Sequence, residues 1–309
     1  MKIYIDSSVL KNRYNKIKDN FKDIIITDKV EDSYDADGIM VYPKDVIKEN
    51  IDKYPNLSWI QVFTAGYNTI DLEYLKSRNI VLCNGKDIYS IPIAEDVIAK
   101  ILAFNRNIPK YLEAMKTKTW GWLNSEYELT NSTVGIVGVG SIGKEIAKRL
   151  KAFNVNIIGY RRQDKNEEFF DKIYFGNDGL NELLKLSDYV ILALPLTDES
   201  YHMINLNKIR IMKKSALLIN IARGEVVKQD DLIYALENHY IRGAALDVVY
   251  PEPLPQDSAL WTLDNVYLSP HNSFSSPYTM DRLMEFLINN LDNYINHKNL
   301  LNIVNLGGK

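Results

Sequence analysis

The sequence predicts an α/β protein of two domains, each a parallel sheet flanked by helices. Three observations predict it. The 309 residues exceed the roughly 250 at which one core tends to split into two. Short apolar runs alternate with helical patterns almost throughout, the order that builds parallel sheets. That alternation is interrupted by a helical stretch after residue 90 and restarts at 133.

In the first part, strands are expected in KIYI (2–5), IIIT (24–27), GIMVY (38–42), LSWIQVF (57–63) and IVLCN (80–84), separated by polar helical stretches such as 45–53 and 70–77. Residues 91–118 carry apolar side chains at helical spacing, and Pro109 breaks them into two consecutive helices. This pair is the natural crossing point. From 133 onward, strands in TVGIV, NVNIIGY, YVILAL, ALLINIA, GAALDVV and NVYLS, with a strand or turn in KIYF, alternate with helices over 141–153, 179–186, 206–213 and 229–239. Near-continuous apolar strands imply a sheet covered on both faces. A last helix, about 277–297, places Met280, Leu283, Met284, Leu287, Leu291 and Ile295 at apolar positions. It begins after the second sheet has run out of strands, so it is expected to pack back on the first domain. The expected domains are therefore 1–95 plus 275–309, and 96–274.

Composition narrows the function. Lys and Arg number 37 against 40 Asp and Glu, a formal charge of −3, with 46% hydrophobic residues. A near-neutral balance lacks the broad field that non-specific nucleic-acid or anionic-membrane binding needs, so no polyanion partner is implied. The N-terminus turns polar after five residues and no apolar run approaches the roughly 18 of a spanning helix, so neither a secretory signal nor a membrane segment is expected. The single cysteine, Cys83, can form neither an internal disulfide nor a Cys-based metal site. It suits a reducing cytoplasm and is expected in apolar packing at a strand end.

After the strand ending at Val137 comes Gly138-Val139-Gly140-Ser141-Ile142-Gly143, then a helix with Ile146, Ala147, Leu150 and Phe153 on one side. This is G-x-G-x-x-G between strand and helix, the context in which it binds a dinucleotide. The first glycine permits the tight turn, the second lets a pyrophosphate approach the backbone, and the third lets helix and strand pack closely. The next strand ends in Tyr160-Arg161-Arg162, where an acid would otherwise meet the ribose 2′-hydroxyl of NAD. Two guanidinium groups suit a 2′-phosphate, so NADP(H) is expected in preference to NAD. The competing reading makes one arginine a solvated surface charge, with Asp164 reaching back to the ribose, although Asp164 lies several residues late for that task.

Four histidines are available for proton transfer. His239 and His297 lie in polar surroundings, and His202 reads equally well as a loop hydrogen-bonder. His271 follows the strand NVYLSP at its C-terminal end, where open parallel sheets place ligands, and an imidazole suits proton exchange with a hydroxyl near neutral pH. Other strand ends supply partners. Glu252 could orient the imidazole, Arg223 could bind a carboxylate or polarise a carbonyl, and Asp247 looks buried and in need of a hydrogen-bond donor such as a carboxamide. Singly, each also reads as structural: a turn, a surface charge, a structural acceptor. Together, at successive strand ends after a nucleotide-binding turn, they point to catalysis.

These residues carry a resemblance. The chain resembles the D-isomer-specific 2-hydroxyacid dehydrogenase family from about residue 57 onward, through WIQVFTAGYNTID, IAEDVIAKILAFNR, VGIVGVGSIG, ALPLTDESYHMIN, INIARGEVV, AALDVVYPEPLP and LSPHNS, in the family's order. The resemblance implies two Rossmann-like or flavodoxin-like domains, a substrate (catalytic) domain and a dinucleotide-binding domain, with catalysis in the cleft. It implies that Arg223 grips a 2-keto acid, that His271 donates the proton, that Glu252 supports His271 and that Asp247 contacts the nicotinamide carboxamide. It also implies that backbone N–H groups of Ala65, Gly66 and Tyr67 hold the substrate carboxylate, and that Pro195 and Ala222 line the cofactor site beside Gly138, Gly140, Ser141, Ile142, Gly143, Arg161 and Arg162. Similar proteins are homodimers, and the helices of 91–118 with Trp120 and Trp122 offer apolar surface for one; core packing is the alternative.

The sequence departs from the family at Asp96, which stands where a histidine often follows Ala-Glu, and at Asn272-Ser273-Phe274, which replaces a small glycine-containing stretch. Phe274 and Tyr67 are expected to crowd or line the substrate pocket. The reaction implied is reduction of a 2-keto acid (glyoxylate, hydroxypyruvate, pyruvate or a related acid) to the D-2-hydroxy acid. Two rivals use the same motifs: a redox-sensing, dinucleotide-binding protein similar to transcriptional corepressors, and a formate- or phosphite-type dehydrogenase. Relatives that oxidise formate generally lack the Glu-His pair, so Glu252 with His271 disfavours the latter.

Overall fold

The computed structural model describes residues 1–10, 13–123, 125–163 and 165–306. The chain forms two compact units, Met1–Tyr89 with Ser276–Lys309, and Ser90–Ser275. In the first, β1 (Lys2–Ile5), β2 (Ile25–Thr27), β3 (Gly38–Val41), β4 (Trp59–Val62) and β5 (Val81–Cys83) make an all-parallel sheet in the order β2-β1-β3-β4-β5. Helices α1 (Ser7–Leu10), α2 (Tyr14–Asn20), α3 (Lys48–Ile51) and α4 (Leu72–Ser77) lie in the crossovers. Every residue of β3 and β4 is buried, which is why these runs read as continuously apolar. β2 is the edge strand and is shorter than its apolar run, with Ile25 largely exposed. Helix α2 escaped the sequence pattern because only Tyr14 and Ile17 of its seven residues are buried.

The second unit opens with α5 (Ser90–Asn105) and α6 (Ile108–Lys116), separated just before Pro109. It continues as β6 (Thr133–Val137), α7 (Ser141–Leu150), β7 (Asn156–Tyr160), β8 (Lys172–Tyr174), α8 (Gly176–Leu186) and β9 (Tyr189–Leu192). Then follow α9 (Leu206–Arg210), β10 (Leu217–Asn220), α10 (Gln229–Glu237), β11 (Gly243–Leu246) and β12 (Val266–Leu268). All seven strands are parallel, in the order β12-β11-β10-β9-β6-β7-β8. The order reverses between β6 and β9, the switch point at which such sheets receive ligands. KIYF is thus a strand, and the expected helix over 206–213 stops at Arg210.

The last helix, α11 (Thr279–Ile295), belongs to the first unit. Its Leu283, Met284, Leu287 and Leu291 are buried in one cluster with Ile3, Ile5 and Met40, each such side chain contributing about 1.5–3 kcal/mol of hydrophobic stabilisation. Asn290 on the same face donates to Gln61 Oε1 at 2.7 Å, so the helix is fixed in register on β4 as well as buried. Cys83 is fully buried in this cluster at the end of β5, and burial raises its thiol pKa. Among the described residues no helix is long and apolar enough to cross a membrane.

Candidate active site

Strand register in the second unit gathers the site. Val137 is level with Leu192 and Tyr160, Asn220 with Leu192 and Leu246, and Leu246 with Leu268. The loops after β6, β10, β11 and β12 therefore leave from one carboxyl edge, and they carry the glycine turn, Arg223, Glu252 and His271.

The glycine turn has the features a pyrophosphate needs. Gly138 has φ +109, and a Cβ there would meet the Ala193 carbonyl oxygen at 2.3 Å across the switch point. A Cβ on Gly143 would strike the Gly138 carbonyl oxygen at 2.2 Å. Gly140 differs, since a Cβ there meets nothing within 4 Å and its φ of −92 is ordinary. The protein's own packing explains two glycines, and space for a ligand at the N-terminus of α7 explains the third. A dinucleotide fits this turn.

Arg161 and Arg162 lie just after β7, and both are paired. Arg161 NH1 bonds Glu167 Oε1 at 2.6 Å, and Lys144 Nζ on α7 bonds Glu167 Oε2 at 2.6 Å. These two cations hold the Glu167 carboxyl below its ordinary pKa. Arg162 reaches Glu199 Oε2 at 2.8 Å with both side chains largely exposed. Asp164, the alternative ribose partner, lies outside the described residues. Glu167 and Lys144 were not singled out from the sequence; an acid six positions after Arg161 was the available signal. Pro195 and Ala222 follow β9 and β10. The Pro195 carbonyl accepts from Ser200 Oγ at 2.8 Å, and the Ala222 carbonyl accepts from Arg223 NH1 at 2.6 Å.

Two loops meet at His271, and a third packs on one of them. Its Nδ1 lies 2.8 Å from Glu252 Oε2, and Glu252 Oε1 accepts the Val249 N–H at 3.2 Å. Gly224 lies against the same segment: a Cβ there would meet the Val249 carbonyl oxygen at 2.1 Å, so glycine brings the turn after Arg223 onto the chain leading to Glu252. All four histidines have positive φ, between +49 and +53. Among the described residues only His271 is paired with a carboxylate. His202 stacks on Tyr201 and donates its backbone N–H to Glu225, a loop role.

Asp247 is 2% exposed, and its donors come from the chain itself. Ser269 Oγ donates at 2.6 Å, Asn272 N–H at 3.2 Å and Ser273 N–H at 3.2 Å, while its own carbonyl accepts the His271 N–H at 2.8 Å. Burial alone would raise its pKa; the bonds from Ser269 and Ser273 and the charge of Lys100 outweigh it and hold the carboxyl below its ordinary range. The acid expected to seek a carboxamide is thus a hub for the His271 turn. Ser269, Ser273 and Lys100 were missed because they gain meaning only from what they surround.

In the first unit, the loop after β4 turns its carbonyls inward. Thr64 Oγ1 donates to the Gly66 carbonyl at 2.7 Å, Asn84 Nδ2 to Ala65 at 2.8 Å and Ile70 N–H to Tyr67 at 3.1 Å. The N–H groups of Ala65, Gly66 and Tyr67 donate to no acceptor among the described residues. The Tyr67 ring packs against the cluster containing Ile60, Val62 and Ile70, so it supports this loop from beneath.

Residues 98–273 match the family described as D-isomer specific 2-hydroxyacid dehydrogenase, NAD binding domain. The chain belongs to this family. The glyoxylate reductase of Pyrococcus horikoshii is 37% identical to the dehydrogenase over 253 residues, 79% of this chain and 75% of its own. The NADPH-dependent glyoxylate/hydroxypyruvate reductase of Sinorhizobium meliloti, solved with NADP and malonate, superposes with a TM-score of 0.82 at 25% identity, over 99% of this chain and 97% of that one. The D-lactate dehydrogenase of Aquifex aeolicus, solved with NAD and lactic acid, gives 0.81 at 26% identity over 100% of both chains. This dehydrogenase is an NAD(P)-dependent oxidoreductase that reduces a 2-keto acid to the 2-hydroxy acid.

Proposed function

We propose that the dehydrogenase reduces a small 2-keto acid of the glyoxylate, hydroxypyruvate and pyruvate class to the D-2-hydroxy acid, with NADP(H) preferred over NAD(H) and His271 as proton donor. The observation that carries this reading is the 2.8 Å pair between His271 Nδ1 and Glu252, at the edge that also bears Arg223 and the glycine turn. Glu252 holds Nδ1, which leaves Nε2 to carry the proton for the keto oxygen. When bound, the reduced nicotinamide supplies the hydride. Arg223 binds the keto acid by charge-assisted hydrogen bonds, and the N–H groups of Ala65, Gly66 and Tyr67 bind its carboxylate. Orienting the acid in this way contributes as much as about 7–11 kcal/mol to lowering the barrier in favourable systems.

Gly138, Gly140, Ser141, Ile142 and Gly143 hold the pyrophosphate, with Pro195 and Ala222 beside the cofactor. Arg161 and Arg162 receive the 2′-phosphate, and Lys144 adds a third cation. Asp247 acts through the His271 turn. The active form is a cytoplasmic homodimer: α6 buries none of its residues, Trp120 and Trp122 are 98% and 85% exposed, and a lone cysteine suits a reducing compartment.

The test is loss of NADPH or NADH absorbance with glyoxylate, hydroxypyruvate, pyruvate and bulkier 2-keto acids, with chiral analysis of the product. Turnover of a small acid with higher kcat/KM for NADPH and a D product is expected. Absence of turnover with all of them, or an L product, overturns the reading; a higher kcat/KM for NADH overturns its cofactor assignment.

A further inference from the structure

We infer that Lys100, paired with Asp96 on α5, is a positioning residue for the proton donor: its ammonium faces the buried Asp247 carboxylate, and that carboxylate holds the turn that presents His271. The inference rests on the reading that His271 carries the proton.

Lys100 is only 8% exposed, an unusual setting for an ammonium unless it is paired. It has two anionic neighbours. One is Asp96, one helical turn earlier, with which it forms an ion pair; the other is Asp247 Oδ1, at 4.0 Å on the loop after β11. Glu95 points elsewhere, towards Arg149 of α7 at 3.6 Å. Lys100 is therefore the cation facing Asp247 from the helix packed beside it.

The charge matters because of what surrounds Asp247. Ser269 Oγ and the N–H groups of Asn272 and Ser273 all donate to its two oxygens. A carboxylate accepts at every site, whereas a protonated carboxyl would aim its own hydrogen into this set of donors. The donors lie on both sides of His271, whose φ of +49 persists only where the surroundings over-determine it. Asp247 supplies that constraint through both its carboxylate and its carbonyl. An ammonium facing this carboxylate at 4.0 Å, beside the bonds from Ser269 and Ser273, thereby helps to fix the turn that presents the imidazole.

The test compares Lys100→Met, which keeps the length and removes the charge, with Lys100→Arg, which keeps the charge. Hydrogen exchange is read at the amides of Asn272 and Ser273 against those of β11, together with kcat, KM and the dissociation constant for NADPH. In Lys100→Met, exchange at 272 and 273 accelerates selectively and kcat falls by about tenfold to a hundredfold, while KM and cofactor affinity stay within about threefold; Lys100→Arg restores most of both. Should Lys100→Met not fold, the double variant Asp96→Asn/Lys100→Met leaves no unpaired carboxylate on α5 and carries the same expectation. Unchanged exchange at 272 and 273, or acceleration spread evenly over the unit, overturns the inference. Failure of the wider reading is distinguishable: it shows as near-normal turnover in His271→Gln, and the exchange result does not depend on turnover.

Discussion

Glu252 grips His271 and its own backbone at once: Oε2 lies 2.8 Å from Nδ1 while Oε1 accepts the Val249 N–H at 3.2 Å. The carboxylate therefore has little rotational freedom, and it ties the loop after β11 to the loop after β12. His271→Gln is expected to lower kcat by about 10²–10⁴-fold and Glu252→Gln by about tenfold or more, with NADPH affinity retained in both. Steady-state kinetics with a fluorescence titration of NADPH checks this; loss of cofactor binding alongside kcat would point to a collapsed loop instead.

On the proposed NADP(H) assignment, Glu167 competes with the 2′-phosphate for the same cations. It pairs with both Arg161 and Lys144 at 2.6 Å, and a 2′-phosphate bound at Arg161 would have to share or replace that carboxylate. Glu167→Gln is expected to tighten NADPH by about threefold, the scale of a part-exposed ion pair, and to leave NADH affinity unchanged. Arg161→Ala has the opposite effect on NADPH alone. Titrating each variant with both reduced cofactors decides the matter.

Two glycines of one turn should respond differently. Gly140→Ala meets no atom within 4 Å, so stability is expected to hold or rise by up to about 1 kcal/mol while dinucleotide affinity falls. Gly138→Ala combines a φ of +109 with a 2.3 Å clash on Ala193, and is expected to cost about 1–3 kcal/mol or more in stability. Urea unfolding with and without NADPH separates the two effects.

Asp247 makes stability depend on acidity. Because its folded pKa lies below the ordinary value of 3.8, its contribution is fully present above that value and is lost as pH falls through the depressed one. The urea midpoint should therefore decline more steeply below about pH 4 in the parent than in Asp247→Asn. Equal slopes would show that the carboxylate is not held ionised.

The exposed side chains of Met115, Trp120 and Trp122 supply the apolar surface assigned to a second copy. Replacing Met115 and Trp122 with serine is expected to yield a monomer with its far-UV circular dichroism intact. Light scattering across a dilution series checks it, and an unaltered mass in the variant would remove this face from the interface.

Periodicity and motif order alone determined the α/β class, the alternating strands and helices and the glycine turn, and singled out His271, Glu252 and Arg223 as candidates at successive strand ends. Each of those rests on local pattern: strands buried on both faces read as apolar runs, and the glycine turn has its strand before it and its helix after it. Tertiary structure decided what local pattern cannot encode. Helix α2 buries too few residues to mark the sequence, and Arg161 and Lys144 meet at Glu167 only once the loop after β7 folds over α7. Asp247 acquires its donors from residues 22 to 26 positions later, and its cation from a helix 147 positions earlier. A buried charge takes its meaning from whichever partners the fold delivers, and that delivery is set by sheet register and helix packing.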